Sequence, residues 1–360
     1  MLRVLLLSRY HQLAASSRYR FYQYLPYLKK QGIEVTAAPL LDDYYLKSLY
    51  AKERKVTYSR LLKAYAQRLN YLSQASAFDV VWVQMEALPW IPSWLELPLL
   101  GTGTPYIVDY DDAWFHTYDQ HPAWLIRQLL QKKIDQVMKN AAVVVAGNKY
   151  IAERAESSGA KTVEIIPTVI DLDAYPLSPH PENEQFTIGW IGTPFTTHHL
   201  TTIHTALQVI CQDGKTQVVA IGDESFRLAG VNLHVKPWDQ QTEVSEIQRF
   251  DLGIMPLKDS AFERGKCGLK LIQYMASARP VIATPVGVNQ QIVKDGQNGF
   301  HATSTAQWLA AFERIKQDMT LRQKFGATGR AQVEKEYCLQ VTAPKVAELL
   351  FRSAQGTNRS

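Results

Sequence analysis

The sequence predicts an α/β protein of two doubly wound, Rossmann-like domains that face each other across a cleft. Three observations carry this. Short apolar runs alternate with helix-length amphipathic stretches in both halves, the pattern of parallel sheets joined by crossover helices. The alternation is interrupted once, by a stretch holding three prolines. The length, 360 residues, suits two domains of ordinary size.

Taken in order, Val4–Ser8 reads as a strand buried on both faces. Ser16 and Ser17 are good helix caps, and a helix is expected from there to Lys30, stopped by Gly32. Glu34–Pro39, Val80–Gln84, Tyr106–Val108 and Val143–Ala146 read as further strands. Asp171–Gln185, with Pro176, Pro179 and Pro181, lacks apolar periodicity and reads as an interdomain linker. The alternation then restarts with strands at Phe186–Ile191, Gln217–Ile221, Val231–Val235, Leu252–Met255 and Val281–Ala283. Helices are expected near 198–211, 241–249, 267–278, 305–316 and 320–335. Ala343–Ser353 reads as a last helix, with a frayed tail after it. The expected division is 1–171, a linker over 172–185, 186–340, and a terminal helix and tail over 341–360 that packs back on the first domain.

Composition narrows the class. Hydrophobic residues make up 46% and charged residues 20%, ordinary for a soluble globular chain with two cores. Cys211, Cys267 and Cys338 show neither a CxxC nor a Cys/His spacing, so no disulfide framework or zinc site is expected. The apolar opening Met1–Leu7 is too short for a signal peptide, and Arg9 and His11 follow it. No stretch has the apolar length of a membrane span; a cytoplasmic protein is expected. The net charge of +5 is too mild to imply nucleic acid.

Open parallel sheets bind ligands beyond the carboxyl ends of their strands. That directs attention to the loops after Ser8, Val108, Ile191, Ile221 and Met255. The strongest constellation is Arg264-Gly265-Lys266-Cys267-Gly268-Leu269-Lys270-Leu271-Ile272-Gln273, which follows a buried strand and opens a helix. On a helix starting here Lys266, Lys270 and Gln273 share one face. Gly265 and Gly268 let a ligand approach the backbone, and the helix start with Arg264, Lys266 and Lys270 attracts an anion. A diphosphate fits better than a lone carboxylate; an amphipathic helix with solvated lysines is the plain alternative.

From Lys266 through Gln273-Tyr274-Met275-Ala276-Ser277-Ala278-Arg279-Pro280-Val281-Ile282-Ala283-Thr284-Pro285-Val286-Gly287-Val288-Asn289 the chain resembles family 4 of the retaining glycosyltransferases, which have the GT-B fold. Ile292-Val293, Asp295-Gly296-Gln297-Asn298-Gly299-Phe300, Ile166-Pro167-Thr168-Val169-Ile170-Asp171 and Gly189-Trp190-Ile191-Gly192 extend the resemblance over nearly the whole chain. It implies a nucleotide diphosphate-sugar as substrate rather than cofactor, bound mainly by 186–340, with the acceptor on 1–171. It implies metal-independent, front-face transfer of a hexosyl group to a hydroxyl of a glycan, lipid-linked or small-molecule acceptor. This branch lacks the family's Glu-x7-Glu pair: Gly265 and Gln273 stand at those positions. Gln273 is expected to hold the donor ribose, and Glu263 to approach the donor sugar in place of the missing first glutamate. No Arg or Lys follows Gly192-Thr193 before Lys215, so Lys266 and Lys270 are expected to neutralise the diphosphate. His198 is a possible proton donor, or only part of a helix start. Trp238 is placed near the base, for stacking or as a core residue.

Asp109, Asp111 and Asp112 end a strand. Acceptor or donor-sugar binding by Asp109 and Asp111 is the favoured role, with a magnesium site or a solvated turn as alternatives. The expected catalytic groups are thus Asp109, Asp111, Lys266 and Lys270. The donor-binding set is Gly192, Thr193, Trp238, Glu263, Arg264, Gly265, Lys266, Gly268, Leu269, Lys270 and Gln273. Ser16, Ser17, Arg18 and Arg20 are expected at the acceptor, and no metal is expected. Between Lys47 and Arg68, basic residues interleave with tyrosines, either as a membrane-contacting face over 44–72 or as solvated helices packing Leu61, Leu62, Tyr65, Leu69 and Leu72 inward. A nucleotide-sugar epimerase and a catalytically degenerate nucleotide-binding partner subunit are the alternative functions.

Overall fold

The computed structural model describes residues 1–50, 57–101 and 103–355. The chain forms two compact units. The first comprises Met1–Thr168, Gly265–Cys267 and Thr342–Ser360; the second comprises Val169–Arg264 and Gly268–Val341.

Unit 1 is built on β1 (Leu2–Leu7), β2 (Ile33–Ala37), β3 (Val80–Gln84), β4 (Tyr106–Tyr110), β5 (Val143–Ala146) and β6 (Val163–Ile165). They pair in the order β2-β1-β3-β4-β5-β6, and every pairing is parallel. The central strands β3, β4 and β5 are buried along their whole length, which is why their sequences are apolar apart from Gln84 and Asp109. Unit 2 carries β7 (Phe186–Ile191), β8 (Thr216–Ile221), β9 (Leu233–Lys236), β10 (Leu252–Met255), β11 (Val281–Ala283) and β12 (Gly299–His301). Their order is β12-β11-β10-β7-β8-β9, again all parallel. Each sheet has a point where the order reverses: between β1 and β3 in unit 1, and between β7 and β10 in unit 2. Crevices at such points are where doubly wound sheets take their ligands.

Several expectations change in detail. The helix expected from Ser16 to Lys30 is three pieces, Ala15–Arg20, a 3-10 turn at Tyr22–Tyr24 and Leu25–Lys30. Pro26 has no amide hydrogen to continue the ladder and sits where the last piece begins. Neither serine caps; Ala14 is the N-cap residue. The helix expected over 267–278 begins only at Leu269. Gly268 before it takes φ +70°, and a Cβ there would lie 2.3 Å from Ile292 Cδ1, so the chain turns at this glycine before it can coil. The stretch read as a linker belongs to unit 2, with a 3-10 turn at Leu172–Ala174 and a buried Tyr175. In the basic stretch, Leu72 is buried, but Leu62 is 72% exposed and Leu69 is exposed as well, against their expected inward packing. Arg68 is buried instead, donating to the carbonyls of Ser8, Ala38 and Ala87. Lys52, Glu53, Arg54 and Lys55 lie outside the described residues.

Candidate functional site

At the order reversal of unit 2, the loop leaving β7 starts at Gly192 and Thr193. The Thr193 amide donates to Thr196 Oγ1 at 3.1 Å, which folds the loop back on itself. Thr197 donates from its hydroxyl to the buried Asp223 carboxylate at 2.6 Å, tying this loop to the one after β8. The 3-10 helix Thr197–Ile203 then buries His199 and leaves His198 exposed. His199 Nε2 lies 3.6 Å from Glu263 Oε1, and the other oxygen of Glu263 accepts from the Ser260 hydroxyl. The two imidazoles lie 4.1 Å apart, tilted by 39°. One ligand atom from each of His198, His199 and Glu263 lies within 4.8 Å of the others. This group has the donors for a divalent ion, although His198 and His199 would have to turn toward a common point. Glu263, placed two residues before the family position, thus stands in the crevice beside the β7 loop.

The helix Leu269–Ala276 brings Lys270 to the same strand. Its Nζ lies 5.2 Å from the Trp190 ring centre, a cation–π contact that fixes the charge near the end of β7. Tyr274 OH accepts the Ile191 amide hydrogen at 3.0 Å and pins the helix to that strand. Gln273 is only 3% exposed; its amide donates to Tyr175 OH at 3.2 Å and to Glu243 Oε1 at 3.0 Å. Glu243 also accepts from the Trp238 indole. Trp238 and Gln273 are therefore joined through a carboxylate the sequence reading missed. Its only sequence signal was an acid opening a short helix, Glu243–Ile247, which is common in any helix. Arg264 is exposed and holds Asp259 through two bonds, at 2.7 and 3.1 Å.

Lys266 does not share a helical face with Lys270 and Gln273, because it precedes the helix. With Gly265 and Cys267 it packs in unit 1, where its Nζ lies 3.5 Å from Asp112 Oδ1. Gly265 is there for close approach to protein, not ligand: a Cβ would lie 2.4 Å from that of Ala113. Its carbonyl accepts from Asn148 Nδ2 at 2.7 Å. A glutamate at this position would not fit.

In unit 1, Arg20 is buried and bonds Asp109 Oδ1 from Nε at 2.8 Å, and the Ile166 carbonyl from Nη1 at 2.7 Å. Burial opposes charge on Arg20, but Asp109 together with Tyr24, Cys267 and Asp111 outweighs it and raises the guanidinium above its usual range; burial also raises the Asp109 carboxyl despite Arg20. Asp109 and Arg20 thus satisfy each other inside the unit, which removes both from the expected substrate contacts. Ser17 is buried and donates to Gln84 Oε1 at 2.9 Å, Ser16 is half-buried, and Arg18 donates to the carbonyls of Gln12 and Leu13. Asp111 is raised to about 7 by burial and then by neighbouring Asp112. Its carboxyl is able to hold a proton near neutral pH.

The reversal of unit 1 holds a second network not foreseen from sequence. Glu86 accepts from Trp114 Nε1 at 2.6 Å and Tyr118 OH at 2.9 Å, and pairs with Lys133 at 2.7 Å and Arg9 at 3.4 Å. Lys133 reaches Glu96 at 2.8 Å. Met85, just before Glu86, takes φ +61°, a strained setting for a side-chain residue. These charges come from segments far apart in sequence, so no spacing announces them.

Residues 185–318 match the family model described as glycosyl transferases group 1. No curated protein sequence matches the chain. Among solved structures, Anabaena HepE in complex with UDP and glucose superposes with a TM-score of 0.74 at 14% identity, covering 98% of this chain and 100% of that one. Sucrose-phosphate synthase from Thermosynechococcus elongatus gives 0.72 at 14% identity, with 98% and 99% covered. WaaG, a glycosyltransferase involved in lipopolysaccharide biosynthesis, gives 0.69 at 14%, with 97% and 99% covered. The chain has the GT-B fold of these glycosyltransferases, and its second unit carries the segment that matches glycosyl transferases group 1.

Proposed function

We propose that the protein transfers a sugar, with retention, from a nucleotide diphosphate-sugar to a hydroxyl acceptor. The observation that carries this is the crevice of unit 2, where Lys270 on Trp190, Glu263 with His199, and the Gln273–Glu243–Trp238 chain stand at the order reversal of the sheet. A cation at the start of a helix suits a diphosphate. A buried carboxylate–amide pair beside an indole suits a nucleoside, the carboxylate accepting from ribose hydroxyls. HepE has been solved with UDP and with UDP-glucose, which makes uridine donors the first to try. In the reaction, the bond from the anomeric carbon to the diphosphate oxygen breaks and that carbon bonds the acceptor oxygen. The acceptor proton passes to the departing diphosphate. Lys270 and the helix start stabilise the charge that develops there.

A thermal-shift screen of nucleotide-sugar donors is the first measurement, since a bound donor stabilises the fold by mass action. The expected result is a shift with a nucleoside diphosphate that Lys270→Ala weakens by roughly tenfold to a hundredfold, the range of a lost charge-assisted bond. Binding of the bare nucleoside should change little. Equal loss for both ligands would remove Lys270 from the diphosphate. Retention is read from the anomeric configuration of the product by NMR; an inverted product overturns that part.

A further inference from the structure

Six large apolar side chains of unit 1 stand in solvent around one region. Trp90 takes φ +63°, and its ring meets Tyr118 at 5.2 Å and His121 at 5.8 Å, both edge-on. Next along the chain, the helix Ser93–Leu100 exposes Trp94, 68% accessible, and Leu95. Directly beyond His121, the helix Trp124–Leu130 exposes Trp124, 63% accessible, with Leu125 and Leu129. Both helices pack on the helix Lys133–Asn140, so the two exposed faces flank a shared support. Single exposed apolar residues are ordinary; three tryptophans and three leucines in one region mark a surface that is covered in use.

The acids around this region are each paired to a base. Glu86 and Glu96 turn inward to Lys133. Asp119 and Asp135 are held by Arg154. No acid occurs from Gln120 to Ile134, where Arg127, Lys132 and Lys133 fall. Arg127 is fastened to the carbonyls of His121 and Pro122, which holds its charge at the start of the tryptophan-bearing helix. The helix Tyr58–Ser73, which packs on Ser93–Leu100, also lacks any acid and carries Lys63 beside exposed Leu62 and Leu69.

We propose that this face docks on an anionic membrane surface. Tryptophan is the residue suited to the headgroup level, with its ring in the apolar boundary and its N–H in water. The leucines enter the acyl boundary, and the acid-free rim of Arg127, Lys132 and Lys63 meets the lipid phosphates. A second protein copy would explain the apolar residues but does not call for a rim cleared of acids. Among the described residues no helix is long and apolar enough to cross a membrane, so the contact is a surface one. It centres on Trp94 and Trp124 rather than on the tyrosine-rich 44–72 stretch, and it does not depend on the reaction proposed above.

The test is sedimentation of the full-length protein with vesicles of phosphatidylcholine alone or mixed with phosphatidylglycerol, together with quenching of tryptophan fluorescence by brominated lipid. The expected result is salt-sensitive binding to the phosphatidylglycerol vesicles, with the tryptophans quenched. Trp124→Ser combined with Leu125→Ser should weaken partitioning about tenfold, with nucleoside diphosphate binding unchanged as the control for folding. Trp94→Ser is an independent second variant. Wild-type protein that stays in solution, binds both lipids equally, or binds as well when both residues are replaced overturns the proposal. So does a concentration-dependent dimer, dispersed by the same replacements, with no vesicle binding.

Discussion

Asp109, Asp111 and Asp112 are neighbours in sequence with three different fates. Asp109 is inside the sheet and is neutralised by Arg20 at 2.7 Å. Asp112 is at the surface and approaches Lys266 at 3.5 Å. Only Asp111 has no ion-pair partner at bonding distance among the described contacts, and it carries the shift to about 7, caused by burial and then by Asp112. The unfolded carboxyl titrates near 4, so the folded state holds the extra proton between those two values. The resulting stability is fully present below about pH 4 and is lost as the pH rises through about 7. Asp111→Asn keeps the site neutral at every pH. Its stability relative to wild type should therefore rise between pH 4 and pH 7 and level off above, as read from urea midpoints across that range. A difference that is flat with pH would mean that Asp111 is ionised throughout.

At the scale of elements, the helix Leu269–Ala276 shows how far a spacing argument reaches. The i, i+4, i+7 pattern was read from the right residues but presumed that the helix includes Lys266. The φ of +70° at Gly268 ends that presumption, and sequence gives a glycine no label saying whether it serves a turn or a ligand. Strands, by contrast, were legible: buried parallel strands are apolar on both faces, so β1, β3, β5, β7 and β10 follow from their composition. The short β6 and β12 were missed because Val163-Glu164-Ile165 and Gly299-Phe300-His301 are not the continuous apolar run that made the equally short β11 legible. The partner of Gln273 was equally illegible, since Glu243 lies thirty residues away and is brought there only by the fold. That partner reverses one expectation. By resemblance alone Gln273→Glu would be conservative, but it would set a second carboxylate where an amide now donates to Glu243 at 3.0 Å. The replacement should cost roughly 1–3 kcal/mol by leaving a buried acceptor without its donor, with like-charge repulsion added. Glu243→Gln in the same chain should recover much of the loss in thermal unfolding. No loss in the single variant would show that the pair is dispensable to the fold.

For the whole molecule, the GT-B architecture was readable because it is repeated twice and each copy rests on composition, whereas the chemistry rests on charges whose partners lie far apart in sequence. That distinction bears on whether the proposed transfer needs a divalent ion. From sequence, three acids within four residues could be a magnesium site as well as a sugar-binding one. Magnesium is held by free carboxylates and bound water in octahedral array. Here Asp109 is buried against Arg20, Asp112 shares its charge with Lys266, and Asp111 is part-protonated near neutral pH. Little unbalanced negative charge remains to draw a cation out of water, and the nearby guanidinium and ammonium repel one. The group at His198, His199 and Glu263 has nitrogen donors, which suit zinc-like ions better than magnesium. Transfer by protein dialysed against a chelator should therefore proceed at close to its untreated rate, and added magnesium should not raise it. If chelation abolishes transfer and magnesium restores it, the acidic cluster is the first suspect, and Asp112→Asn should then weaken the magnesium dependence. If only zinc restores it, Glu263→Gln should abolish that rescue and Asp112→Asn should not, which would move the essential ion to the crevice of unit 2.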